Sequence, residues 1–230
     1  MDETLTLSLS GRSSVLEAQF FPPIELSKNK IYVLGLVELL TFNSIPNIDE
    51  NNNKFYVDGE KDPIRIPTGS YKIEDIEKYL KKELNPKSIE LELKPNNNTL
   101  RSSIKSSHSI DFNSSDSLGW LLGFNPQILT ADTWHDSDHP VRILKVNSLR
   151  VECNITTGAY ANGDKVHTIH EFFPAVPPGY KIIEVPAQVI YLPINVRSIN
   201  YIQLRIVDQD GNLVNFRGEI ITIRLHIKAL

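Results

Sequence analysis

The sequence holds one cysteine, Cys153, among 230 residues. No internal disulfide can form, which excludes a disulfide-stapled scaffold and suits a reducing interior. No apolar run approaches the roughly 20 residues that a helical membrane span needs. Positive charge is not in surplus either: 24 Lys and Arg stand against 28 Asp and Glu, a net charge of -4. Without a basic excess or a basic arm, direct nucleic-acid binding through phosphate neutralisation is not expected. Gly-x-Ser-x-Gly, a phosphate-cradling Gly loop and Cys-x-x-Cys are all missing, as are internal repeats, low-complexity tracts and linkers. The opening Met1-Asp2-Glu3-Thr4-Leu5 is acidic and polar and does not read as a secretion signal, so synthesis in the cell interior is expected. The Asn-x-Ser/Thr triplets at Asn97, Asn113 and Asn154 are then expected to be chance matches.

What the chain does have is alternation. Hydrophobic residues make up 40% of it, enough for a real core. Thr4 to Leu9 alternates apolar and polar, the period of a strand with one buried face. Val15 to Phe21, Lys30 to Phe42, Lys54 to Val57 and Ile64 to Ile66 read as further strands. From Val141 onward strands dominate: Val141 to Ile155, Lys165 to Phe173, Tyr180 to Val185 and Val189 to Tyr191. The chain then closes with Tyr201 to Val207 and Ile221 to Lys228 about Asp208-Gln209-Asp210-Gly211, which the spacing predicts as a long hairpin. Many strands with turns at short intervals predict an all-β body. At this length the expected architecture is a single jelly-roll sandwich over residues 1–230, with its first and last strands in one sheet.

Helical periodicity is confined to two places. Tyr71 to Leu84 carries Ile73, Ile76, Leu80 and Leu84 on one stripe, with Ser70 in the capping position, acids early and lysines late. Ser117 to Leu122 reads as a short helical turn closed by Gly123. Ile89 to Leu93 and Leu100 to Lys105 flank Asn96-Asn97-Asn98 as a hairpin. Residues 71–107 are therefore expected to be a helix-plus-hairpin elaboration of the sandwich.

Candidate chemistry is sparse. His135-Asp136-Ser137-Asp138-His139 and His167-Thr168-Ile169-His170 together suggest a cupin-like four-histidine metal site. Strand alternation opposes it, because positions 167 and 170 leave opposite faces of a regular strand. Asp208, Asp210, Asn212 and Glu219 fit part of a calcium-loop frame, but Leu213 stands where that loop needs glycine. Cys153 alternates with Leu149, Val151 and Ile155 and reads as a small core residue. We therefore expect no metal, no cofactor and no catalytic residues. The stronger clue is apolar surplus at turns. Trp120, Phe124, Trp134, Phe172, Phe173, Pro177 and Tyr180 are the candidate interface residues, because apolar patches at loops mark contact surfaces.

Several blocks carry a resemblance: Phe20-Phe21-Pro22-Pro23-Ile24 and Phe42-Asn43-Ser44-Ile45-Pro46-Asn47; Gly69-Ser70-Tyr71 leading into Ile73 to Glu77; Ser117 to Phe124; Arg150 to Ile155; His167 to Phe172; Pro177 to Ile182; Val207 to Gly211; and Phe216 to Glu219. Together, over almost the whole chain, they resemble the minor capsid (penton) proteins of Polinton/Maverick elements and adintoviruses, including copies in animal genomes. The resemblance implies a structural jelly-roll subunit, not an enzyme. It implies a homopentamer at each vertex of an icosahedral virion, beside a double-jelly-roll major capsid protein. The competing expectations are a jelly-roll glycan- or ligand-binding module and a cupin-like metalloprotein.

Overall fold

The computed structural model describes residues 4–230. Within them the chain divides into two compact units, one built from the chain up to Ile45 and again from Val146 to Leu230, the other from Pro46–Lys145. The helix and hairpin expected over 71–107 lie in the second unit.

The first unit is a sandwich of two antiparallel sheets. Its main strands are β1 (Thr4–Gly11), β2 (Val15–Glu25), β3 (Tyr32–Phe42), β4 (Leu149–Cys153), β5 (Thr168–Phe172), β6 (Lys181–Glu184), β7 (Ser198–Val207) and β8 (Ile221–Ala229). One sheet runs in the order β1-β8-β3-β6, with the short strand Leu192–Pro193 also pairing with β3, and the other runs β5-β4-β7-β2; a separate hairpin pairs Ala159–Ala161 with Asp164–Val166. This interleaving of early and late strands is a jelly roll. The first and last strands pair as expected, from Thr4↔Lys228 to Gly11↔Ile221. Alternation explains the core: Leu7 and Leu9, Leu34 and Leu36, Ile223, Leu225 and Ile227 face Leu16, Val151, Cys153, Ile202, Leu204 and Ile206.

The predicted closing hairpin is corrected. β7 pairs with β4 and β2, and β8 pairs with β1 and β3, so the two arms lie in opposite sheets. The turn is real but brief. The Asp208 carboxylate accepts the backbone N–H groups of Asp210 and Asn212, both at 2.9 Å, and Val214 N–H returns to the Ile206 carbonyl at 3.1 Å. The chain then crosses to the other sheet through Arg217 and Gly218, both at positive φ. The physical reason is that both arms are long and have aliphatic inner faces. In opposite sheets each arm gains a partner on both edges, β7 between β4 and β2 and β8 between β1 and β3, and the connection buries Val214 and Phe216 in the core as it crosses.

Two other strand expectations shorten. Of Val141 to Ile155, only Leu149–Cys153 is a strand, because Val141 and Arg142 N–H bond to the Leu100 and Leu121 carbonyls without a continuing ladder. Val189 to Tyr191 is not a strand but a strap over the outer face of β3. A Cβ at Gly35 would lie 2.4 Å from Val189 Cγ1 and 2.8 Å from the Ile190 carbonyl oxygen, so glycine permits the close approach.

In the second unit, α1 (Ile73–Leu84) starts two residues later than predicted. Lys72, not Ser70, is the cap residue, and its N–H donates to the Asp75 carboxylate. Ile73, Ile76, Leu80 and Leu84 are buried against the hairpin Leu91–Asn96/Arg101–Ser106, to which His135–Asp136 adds a third strand. A short helix, α2 (Gly119–Leu122), closes at Gly123 with φ 89°, where a Cβ would meet the His139 carbonyl oxygen at 2.2 Å.

Candidate interaction surfaces

The jelly-roll order gives the sandwich two long sides. β1 and β2 are the edge strands of their sheets and follow each other in the chain through a three-residue turn, so they line one side. β5 and β6 are the opposite edges and line the other, where His170 Nε2 lies 2.8 Å from Glu184 Oε1 and bridges the two sheets.

On the β1–β2 side the prominent feature is Phe21. Its neighbour Phe20 packs on the core, and alternation turns Phe21 outward, fully exposed. The register of β2 with β7 shifts between Ile199 and Tyr201, so Phe20 to Pro23 bulge from the edge, with a cis peptide between Phe21 and Pro22. Prolines on an edge strand also remove donors from the free edge. Glu17 and Glu25 share this strand. Glu17 accepts hydrogen bonds from the Tyr201 hydroxyl and the Gln203 amide, both at 2.6 Å, and these hold its carboxyl below the usual range. The same bond to Glu17 pushes the Tyr201 hydroxyl upward. Glu25 accepts from the Ser198 hydroxyl at 2.7 Å. Neither carboxylate pairs with a cation among the described residues.

The β5–β6 side is apolar over a wider area. Phe173, Tyr180, Ile183 and Val185 are each more than half exposed, and Pro177 is exposed. Ile183 is directed outward because its neighbour Ile182 enters the core. The loop bearing Pro177 and Tyr180 is pinned by Asn43. Its side-chain amide donates to the Val176 carbonyl at 2.7 Å, its N–H to the Tyr180 carbonyl at 2.8 Å, and its own carbonyl accepts from Gly179 N–H at 2.8 Å. A buried Asn satisfied in three directions fixes a loop that composition alone would leave loose. Phe172, by contrast, is half-buried against the core and stacks on His170 with ring centroids 5.7 Å apart.

The remaining interface candidates lie in the second unit. Trp120 and Trp134 are exposed, and each carries a cation on its face: Arg142 at 3.6 Å and Lys94 at 4.5 Å from the ring centroids. Phe124 is corrected. It is 1% exposed and packs on Phe112 at 5.3 Å, inside the core, so it presents nothing to a neighbour. The αL turn at Gly123 aims Phe124 inward, a consequence of backbone geometry that a count of apolar residues near turns misses. Phe21, Ile183 and Val185 are exposed apolar residues that the surplus at turns does not single out. Two adjacent apolar residues inside a strand, as in Phe20-Phe21 and Ile182-Ile183, were the available signal, because one of the two must face out.

The histidine clusters divide between the units and take protein partners. His135 Nε2 lies 3.0 Å from the Thr130 carbonyl oxygen and His139 Nε2 lies 3.2 Å from Asn125 Oδ1, both in the second unit. In the first, His167 Nδ1 lies 2.8 Å from the Thr156 carbonyl oxygen, and His170 meets Glu184. Among the described residues no group of three or more His, Cys, Asp or Glu side chains has metal-binding proximity. Cys153 is fully buried, and burial pushes its thiol up to about 11, opposite to what a nucleophile needs. The second unit also has a cleft of about 490 Å³ lined by Tyr56, Asp58, Glu60, Asp62, Asp111 and Ile128. Asp58 and Asp111 cap local turns through Gly59 and Asn113 N–H, and Glu60 is bridged to Lys87.

Compared by sequence, the chain matches no family model and no curated protein. Compared by structure, it is similar to the crystal structure of selenomethionine-labelled mavirus penton protein. The match has a TM-score of 0.53 at 10% identity and covers 100% of both chains. At that identity the likeness is one of fold: the chain has a penton-like fold.

Proposed function

We propose that the protein is a structural subunit of an icosahedral virion, the penton at the fivefold vertices, and that it carries no catalytic activity. The observation that carries this is the jelly-roll strand order combined with likeness to a penton protein along the whole chain. In this reading five copies close into a ring. The double-jelly-roll major capsid protein surrounds that ring, and the element belongs to the Polinton/Maverick and adintovirus kind that the sequence blocks resemble. The protein is made in the host cell and ends in the virion. A ring of identical subunits repeats one heterologous contact until it closes, so each subunit needs two unlike, complementary sides. The two apolar sides of the sandwich, one narrow and acidic and one broad, meet that requirement.

Negative-stain electron microscopy and native mass measurement of the purified protein test the proposal. Fivefold rings with the mass of five chains are the expected result. A strict monomer at every concentration refutes it, and specific glycan-array hits from such a monomer favour the binding-module alternative.

A further inference from the structure

Resting on the ring reading, we infer that the ring contact is made head to tail by the sandwich sides: the Phe21 bulge of one copy docks on the Phe173–Tyr180–Ile183 surface of the next. Three observations select this occupant. The two apolar surfaces lie on opposite sides of one jelly roll, on the edge strands β2 and β6 and the loop after β5. They differ in form: Phe21 protrudes at full exposure from a strand bulge, whereas the other side is broad, with a loop immobilised by Asn43. A protrusion and a broad apolar surface suit each other, while two copies of either do not, which favours a heterologous over a twofold contact.

Charge points the same way. Glu17 and Glu25 flank Phe21 without a cationic partner among the described residues. On the other side Glu184 is engaged by His170 and Glu171 accepts from the Ser148 hydroxyl at 2.8 Å. Exposed Lys181, next to Tyr180, is a cation there with no ion pair among the described residues. The acidic strand of one copy and Lys181 of the next are complementary, and like-charge contact would arise if two acidic sides met. Phe21 acts as the buried anchor, in the way aromatic residues dominate interfaces, and the charges set register.

The test uses Phe21→Asp and Ile183→Asp in the full chain. Both residues are exposed, so both variants are expected to fold, with circular dichroism and unfolding midpoint matching the parent. Each alone is expected to lose ring assembly, with native mass showing monomer where the parent shows rings. Mixed in equal amounts they are expected to give a dimer and nothing larger, because each variant keeps one intact side and only one productive pairing remains. Glu25→Lys and Lys181→Glu are each expected to weaken assembly at least tenfold, and the double swap to restore it. Rings formed by both single variants, or homodimers of either, overturn the inference while leaving the ring reading intact. A parent protein that never assembles overturns the ring reading itself.

Discussion

Replacing Gly35 by alanine tests how the strap over β3 is held. The new methyl carbon would sit 2.4 Å from Val189 Cγ1 and 2.8 Å from the Ile190 carbonyl oxygen, and ordinary contact begins near 3.4 Å. The Val189 methyl can rotate away, but the carbonyl belongs to the backbone, so the strap must lift. Overpacking of this kind costs about 1–3 kcal/mol. Lifting also threatens the hydrogen bond between the Tyr191 hydroxyl and His226 Nδ1, at 2.8 Å, and the Lys228 ammonium resting 3.9 Å above the Tyr191 ring. That hydrogen bond contributes about 0.5–1.5 kcal/mol. Reduced freedom of the unfolded chain returns about 0.4–1 kcal/mol. Together these give an expected net loss of about 0.5–4 kcal/mol, centred on about 2 kcal/mol. Urea unfolding of the parent, Gly35→Ala, Val189→Ala and the double variant measures it. The double variant is expected to recover part of the loss, since Val189→Ala removes the closer contact and leaves the carbonyl. Hydrogen exchange should quicken at residues 186–191 in Gly35→Ala. A neutral or stabilised Gly35→Ala protein, with unchanged exchange there, refutes the close approach.

Other outcomes follow from the same geometry. Phe124→Ala is expected to cost about 3–5 kcal/mol in unfolding free energy, while Phe173→Ala changes the monomer by no more than about 0.5 kcal/mol; equal effects would remove the distinction between core and surface. Cys153, its thiol raised to about 11 by burial, is expected to resist alkylation at pH 8 in the folded protein and to react at once in denaturant; rapid folded-state reaction would contradict its placement. The Asp116 carboxyl is held well below its usual range, first by the Lys54 ammonium and then by the Ser114 and Tyr56 hydroxyls. Because its folded value is depressed, its contribution is present above the unfolded value of about 3.9 and is lost as pH falls below it. Asp116→Asn should therefore lower stability at neutral pH and flatten the acid limb, and an unchanged slope below pH 4 would count against the cluster.

The two fates of adjacent apolar pairs show how far local pattern reaches. Phe20-Phe21 and Ile182-Ile183 announce that one member of each pair faces outward, because side chains alternate along a strand. Which member does so depends on register with a distant strand: Phe20 is drawn to the core beside β7, and Ile182 to the core beside β3. The candidate surfaces were half legible for the same reason. Phe173, Pro177 and Tyr180 are exposed, as their place at turns suggests, while the left-handed turn at Gly123 sends Phe124 inward.

By itself the sequence determined the all-β character of most of the chain, the stripe of α1 and the buried face of each long strand. These depend on periodicity within a few residues. It also determined the turn at Asp208 to Asn212, because the aspartate bonds its own neighbours. Only the tertiary structure decided where the arms beyond that turn go. β7 and β8 carry equally good strand patterns, and nothing local distinguishes pairing with each other from facing each other across the sandwich. The partners available on each edge are a property of the whole body: β4 and β2 flank β7, β1 and β3 flank β8, and so the arms separate into two sheets. The same separation sets β1 and β2 on one side and β5 and β6 on the other, and so creates the two unlike surfaces that a chain of alternating residues cannot display.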